Sequence, residues 1–434
     1  MSKISKTILG DLIEFQRGYD LPKSEFQAGE IPVISSNGIL GYHNIAKVKA
    51  PGITIGRSGT VGLPHYINED FFPHNTSLFI KDFKGNNPKY IYYLIKTLRL
   101  NEYGSGSGVP TMNRNHLHPI RVSAFLDIAD QQKIAKVLSD LDAKIELNNK
   151  INSELEAMAK TLYDYWFVQF DFPAKLPSTS LRLTSSDIDA VSLSEVEVPY
   201  KSSGGKMVYN QELKREIPEG WEVGTLNDLG EIVGGSTPSK SIDDNFCSNG
   251  IPWITPKDLS LNSGKKFISR GELDASERGF KSASLKILPK GSILLSSRAP
   301  IGYMVISRND VTTNQGFKSF IPNKGYLTSF VYYSIKHNMR VIEANASGST
   351  FKEISGGVLK VIPICLATKN IVDLFTKKTQ AIFIQQNVIE KQNQQLTSLR
   401  DWLLPMLMNG QITVKEAEEA LGMVAENSAD YQKR

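Results

Sequence analysis

Three groups of residues in this 434-residue chain could do chemistry: its histidines, its two cysteines, and a series of polar loops built on glycine. His116 and His118 form an HxH pair, and His43, His65 and His74 lie in the same stretch, a set that a metal ion could use. The corresponding stretch later in the chain has no histidine at matching positions. Polar contacts at a surface or groove therefore account for these imidazoles better than a metal. Cys247 and Cys365 stand alone, without CxxC or Cys/His spacing, which fits a reducing compartment and no disulfide framework. Glu212 and Lys214 offer an acid-lysine pair of the nuclease kind, but they sit in a linker-like segment with no acidic partner at useful spacing. No GxxxxGK[ST] loop, no GxGxxG turn and no Asn-Pro-Pro or Asp-Pro-Pro element occurs. The expectation is a chain with no catalytic residue, no metal and no cofactor of its own.

The polar loops suit a different task. Direct readout of DNA needs Arg, Lys, Asn, Gln, Ser or Thr on exposed loops that reach base edges. In the first half these are Ser35, Ser36 and Asn37; Arg57, Ser58 and Thr60; His74, Asn75 and Thr76; and Ser105, Ser107, Thr111, Asn113 and Arg114. In the second half they are Thr255 and Lys257; Ser296, Ser297 and Arg298; Thr312, Asn314, Gln315 and Lys318; and Ser347, Ser349, Thr350 and Lys352. Arg57 and Arg298 stand out, because arginine pairs bidentately with guanine or phosphate. Loops of this composition also serve as turns whose side chains cap backbone groups.

These loops recur because the chain is a tandem repeat. Residues 9–18 (LGDLIEFQRG) resemble 226–235 (LNDLGEIVGG), and 31–35 (IPVIS) resemble 251–255 (IPWIT). The turn GTVG at 59–62 matches APIG at 299–302, each after an arginine, and YIYYLIK at 90–96 matches FVYYSIK at 330–336. Short β-branched runs such as Gly52–Ile55 and Ser292–Ser296, punctuated by turn residues, predict strands. One aromatic-faced helix per block is predicted at Pro88–Leu98 and Leu327–Asn338.

Each block is followed by a long helical stretch, 127–167 and 367–408. In the first, Ile134, Leu138, Leu141, Ile145, Asn148, Asn152, Leu155, Ala159, Leu162 and Trp166 keep a spacing of 3 and 4. In the second the seam is Phe375, Thr379, Ile382, Gln386, Ile389, Asn393, Leu396, Leu399, Leu403 and Leu407. Both seams turn to amides midway, and a buried amide fixes register because its partner must sit opposite. Two equivalent block-helix units packed through one face imply a pseudo-dyad and antiparallel helices. Two heads inverted at the ends of such a rod would suit separated sites on a duplex.

Charge follows the same division. Residues 1–126 carry 14 Lys/Arg against 9 Asp/Glu and residues 216–366 carry 17 against 14, while the segments between and after are neutral or acidic. A polyanion would meet the two blocks. No apolar run is long enough for a signal peptide or a membrane helix, so a cytoplasmic location is expected. Residues 174–198 hold six serines and two threonines without periodicity and read as a flexible insertion. The resulting division is 1–126 and 216–366 as globular blocks, 127–170 and 367–414 as helices, 171–215 as linker and 415–434 as tail.

The duplicated plan, YDYWFVQFDFP at 163–173, YKSSGGKMVYNQELKREIPEGW at 200–221 and LLPMLMNGQI at 403–412 together resemble the specificity (S) subunits of type I restriction-modification systems, the HsdS family. That resemblance implies an α/β (α+β) fold with two pseudo-symmetric target recognition domains joined by two long antiparallel coiled-coil helices. It implies a non-catalytic subunit reading a bipartite double-stranded DNA target. It also implies docking of two methyltransferase (M) and two restriction (R) subunits, with S-adenosylmethionine, ATP and Mg on those partners. On the residues alone two other readings stay open: a scaffold with two protein-binding heads, and a stand-alone nuclease.

Overall fold

In a computed structural model, which describes residues 3–103, 111–175, 197–298, 300–348 and 352–422, the repeat is one of topology as well as sequence. In the first block a four-stranded antiparallel sheet runs Glu14–Arg17, Ser77–Asp82, Gly52–Gly56, Pro64–Ile67. In the second the same order recurs as Glu231–Gly234, Lys318–Ile321, Ile293–Leu295, Met304–Ser307, with Phe267–Ile268 added in parallel at the far edge. A smaller sheet also repeats. Ile31–Ser35 lies parallel to Phe72–Pro73 with Val33 opposite Phe72, and Ile251–Ile254 lies parallel to Thr312–Thr313 with Trp253 opposite Thr312. Each block is closed by a two-stranded pair joining its start to its end: Ser5–Ile8 with Arg121–Ala124, and Glu222–Thr225 with Pro363–Leu366.

Four helices support the blocks and connect them: Pro88–Thr97 (α1), Ile128–Tyr163 (α2), Thr328–His337 (α3) and Lys369–Met408 (α4). Helix α1 starts where a cap predicts it. The Asn87 side chain accepts from the Tyr90 N–H at 2.9 Å, and Pro88 follows at a position whose missing N–H costs nothing. The described chain forms two compact units, residues 1–148 with 391–434 and residues 149–390, so each unit holds one block with part of α2 and part of α4.

Within the first unit, Ile134, Leu138 and Leu141 of α2 and Leu403, Leu407 and Met408 of α4 join Phe15, Ile53, Ile55, Tyr90 and Tyr93 in one core, with Leu396 packed against it. Each such side chain contributes roughly 1.5–3 kcal/mol on burial. Asp142 accepts from Tyr93 Oη at 2.7 Å and from Arg400 Nη1 at 2.9 Å. Asn148 Nδ2 donates to Asn393 Oδ1 at 2.8 Å, both amides being buried. Rising numbers on α2 meet falling numbers on α4, so the two segments run antiparallel. Ile145 is half-buried on the same stripe.

Within the second unit the antiparallel order continues: Gln386 Nε2 donates to the Asn152 carbonyl at 3.3 Å, and Tyr163 and Trp166 meet Phe375. Leu162 and Ile382 pack on the core, Ile389 is buried, and Leu155 is half-buried. The YDYWFVQFDFP segment leaves the helix through a π-turn at Asp164–Val168, and its Phe172 stacks on Trp221 at 5.1 Å. Arg215 Nη2 donates to the Val168 carbonyl at 3.0 Å. That aromatic cluster joins the two motifs in space. Glu212 and Lys214 sit beside the hairpin Met207–Asn210/Arg215–Pro218, apart from any carboxylate partner in the described structure. Of the Ser/Thr-rich stretch, 176–196 lie outside the described residues.

A buried ionic network joins the second block to both long helices. Lys266 Nζ pairs with Glu156 and bonds Gln386 Oε1 at 2.7 Å and Tyr333 Oη at 3.0 Å. Glu390 accepts from the Lys266 and Phe267 amides at 2.7 and 3.1 Å and from Arg308 Nη2 at 2.9 Å. Burial lowers the Lys266 ammonium to about 8 against the pull of Glu156. Burial works against the charge on Glu156, but Lys266 and Lys336 outweigh it and hold its carboxyl below the ordinary range. Burial raises the Glu390 carboxyl, with the Lys266 amide and Arg308 opposing. A seam read from apolar spacing contains none of Glu156, Lys266, Arg308 or Glu390.

Candidate nucleic-acid interface

In the first block one open cleft of about 720 Å³ is lined by Arg17, Tyr19, Asp20, Arg57, Asn113 and Arg114, among others. The sheet places Arg57 at the end of Gly52–Gly56, and neighbours on both sides fix its backbone. Its N–H donates to the Thr76 carbonyl, and its carbonyl accepts from Met112, each at 2.8 Å. Arg57 Nη1 reaches the Asn75 carbonyl at 3.4 Å. Asn113 caps the short helix Arg114–Leu117 by accepting from the Asn115 N–H at 3.0 Å, which sets Arg114 at the rim, its Nη1 3.5 Å from the Phe15 carbonyl. Arg17 pairs with Asp20 at 3.4 Å, and the Asn75 amide bonds the same carboxylate. Gly18 has to be glycine here, because a Cβ would sit 2.1 Å from the His74 carbonyl oxygen.

Arg57, Asn113 and Arg114 thus meet at one cleft, with Asn75 beside it. Loop-by-loop reading passes over Arg17. Its signal lies in the repeat, which sets Arg17 against Gly234. The remaining first-block candidates are more dispersed. Ser35 Oγ donates to Gly38 and accepts from the Asn37 N–H, closing a turn that leaves Asn37 exposed. Thr76 Oγ1 is engaged by His74 Nδ1 and the Ser36 N–H, inward of the surface. Ser58 bridges Thr111, and Thr60 is exposed. Ser105 and Ser107 lie outside the described residues.

The second block corrects several expectations. Ser296, Ser297 and Thr312 are fully buried. Ser296 Oγ closes the turn to Pro300 at 2.8 Å, Thr312 Oγ1 donates to Pro252 at 3.0 Å, and the Ser297 hydroxyl points into the protein, so none faces a ligand. Thr255 spends its hydroxyl on a capping box with Asp258, and Lys257 pairs with Glu272 at 2.6 Å. Asn314 caps the Gly316 amide at 3.0 Å, while Gln315 bonds Thr237. Arg298 and Lys318 converge on Glu353, and Ser347 and Lys352 are exposed nearby. Ser349 and Thr350 lie outside the described residues.

Four of the histidines serve local structure. His43 accepts from the Gln27 amide, His65 meets the Ser36 carbonyl, His74 meets Thr76, and His118 Nε2 accepts from the Phe15 N–H at 3.0 Å. Among the described residues no group of three or more His, Cys, Asp or Glu could hold a metal ion. Burial lowers the His118 imidazole below its ordinary value, with Arg114 and Lys84 adding to the effect, and burial lowers His337 as well. The unfolded chain therefore takes up these protons first. Their stabilisation is present above the unfolded value of 6.5 and is lost as pH falls from there through the lower values of the folded state. The urea midpoint of the protein is expected to drop between pH 7 and 5.5, with a shallower drop in His118→Asn. Parallel profiles would contradict this.

A family model described as the type I restriction modification DNA specificity domain matches residues 1–157 and 218–397. The chain is 46% identical over 151 residues to the type I restriction enzyme MjaIX specificity subunit of Methanocaldococcus jannaschii, a match covering 34% of each chain, so about a third of that relative's length. It is 30% identical over 322 residues to the HindI specificity subunit of Haemophilus influenzae, covering 67% of this chain and 69% of that one. Its fold is like that of a type I restriction-modification S subunit crystal structure from M. genitalium, with a TM-score of 0.60 at 15% identity over 94% of this chain and 96% of the other. No described helix is long and apolar enough to cross a membrane.

Proposed function

The chain belongs to the type I restriction modification DNA specificity family, and on that premise we propose that each of its two blocks reads one part of a bipartite double-stranded DNA target. The cleft where Arg17, Arg57 and Arg114 converge carries this reading. Three guanidinium groups at one opening suit phosphate oxygens and guanine edges. Helices α2 and α4 would carry the docking surface for two methyltransferase and two restriction subunits. Leu147, Met158, Ile384 and Trp402 are exposed on them, large apolar side chains of the kind that mark protein contacts. The methyl donor, ATP and Mg would belong to those partners, this chain adding no catalytic group, and the complex would work in the cytoplasm.

The test is a gel shift on duplex DNA with the full chain and its methyltransferase subunit, repeated over a salt series. Sequence-selective retardation is expected, with log affinity falling linearly in log salt. Arg57→Ala should weaken binding by roughly 1–3 kcal/mol if the guanidinium reads a base, or reduce the salt slope by about 1 if it holds a phosphate. A chain that binds partner protein but retards no duplex would instead be a scaffold.

A further inference from the structure

The two blocks carry different charge at matching places. Where the first block ends a strand in Arg17 and opens its capped helix with Arg114, the second has Gly234 and Gly356. By backbone pairing Arg57 matches Ser297, whereas Arg298 stands where the first block has Ser58, and that arginine is tied to a carboxylate. Arg298 Nε donates to Glu353 Oε2 at 2.9 Å, and Lys318 Nζ lies 3.8 Å from Oε1. The corresponding bridge in the first block joins Ser58 to Thr111, with no acid.

Glu353 is held firmly. Its N–H and carbonyl bond Ser347 at 2.9 and 3.0 Å, and the next residue, fully buried Ile354, donates to the Ser297 carbonyl at 2.9 Å. Both side chains nonetheless remain partly open to solvent, Arg298 at 46% and Glu353 at 38%. A carboxylate on a DNA-facing surface is repelled by phosphate unless its charge is matched and it has a donor to meet. Here Arg298 and Lys318 supply the match. The donor comes from groove chemistry. Across the major groove a G·C pair presents two acceptors on guanine, N7 and O6, and then a donor, the cytosine N4 amino group. An arginine lying edge to edge with a glutamate presents the complement: two donors, then an acceptor.

We propose that Arg298 and Glu353 together read one G·C base pair, the guanidinium taking guanine and the carboxylate taking the cytosine amino group. This rests on the reading that the block binds DNA. It adds Glu353 as a specificity-determining residue and states what the pair selects.

The experiment selects duplexes from a randomised pool with the full chain in complex with its methyltransferase subunit, comparing the native protein with Glu353→Gln and Arg298→Lys. The native complex is expected to demand G·C at one position of one half of its motif. Glu353→Gln, whose amide both donates and accepts, should relax that position by about tenfold or more and leave the others unchanged. Arg298→Lys, which loses the bidentate fork, should relax the same position. An unchanged motif in Glu353→Gln would overturn the assignment. So would relaxation of two different positions by the two variants, or equal weakening at every position, which is what a merely structural brace would give. A native complex that selects no sequence would remove the DNA reading itself, and this assignment with it.

Discussion

Exchanging residues 1–126 for the matching block of a relative is expected to change one half of the recognised DNA sequence and leave the other half as it was. Each block has its own pair of sheets, its own closing strand pair and its own polar rim, and the first block's strands pair only among themselves in the described residues. Each base pair altered in a half-site carries roughly 1–3 kcal/mol of discrimination, and separate positions add. A half-site changed at three positions would thus be preferred over the old one by several orders of magnitude. Sequencing methylated DNA from cells that carry the chimera with its methyltransferase subunit gives the answer. A change in both halves would contradict independent reading.

The second large effect concerns stability. Glu390→Leu is expected to cost about 3–5 kcal/mol, because it strands the Arg308 guanidinium, whose side chain is 5% exposed, together with the Lys266 and Phe267 amides. Glu390→Gln keeps one acceptor and should cost less. Replacing Arg308 and Glu390 together by apolar residues should recover part of the loss, since a buried pair is often no better than a good hydrophobic contact. Equilibrium urea unfolding measures all three. A Glu390→Leu stability within about 0.5 kcal/mol of the native value would mean that water reaches the network.

Much of this architecture was legible because periodicity and repetition are properties of the chain itself. Helix α1 was legible from its aromatic face over Pro88–Leu98, and the amide at Asn148 demanded a partner that Asn393 supplies. What stayed hidden was whatever depends on a third element. Glu156 and Glu390 look like ordinary solvated helix positions until Lys266 and Arg308 arrive from the second block. Ser296, Ser297 and Thr312 have the composition of a binding loop, but strand pairing turns their hydroxyls inward. Arg17 escaped because it ends a strand rather than standing in a polar loop, and Glu353, next to Lys352, because an acid is not among the residue types that direct readout asks for first. Their significance is a difference between the blocks, and a search for similarity passes over differences.

The first unit is made of chain that the ribosome delivers at two separate times. Its core needs Leu403, Leu407 and Met408 beside Ile134, Leu138 and Leu141, and residues 149–390 are synthesised in between. At about 5–20 residues per second that interval is on the order of ten to fifty seconds. Throughout it the earlier half of α2 has its own block to pack on but not the α4 side chains that complete the core, while the second unit can close as soon as Glu390 emerges. The block made first is therefore the one finished last. A premature stop ahead of residue 403 would injure the reader at the opposite end of the gene from the lesion.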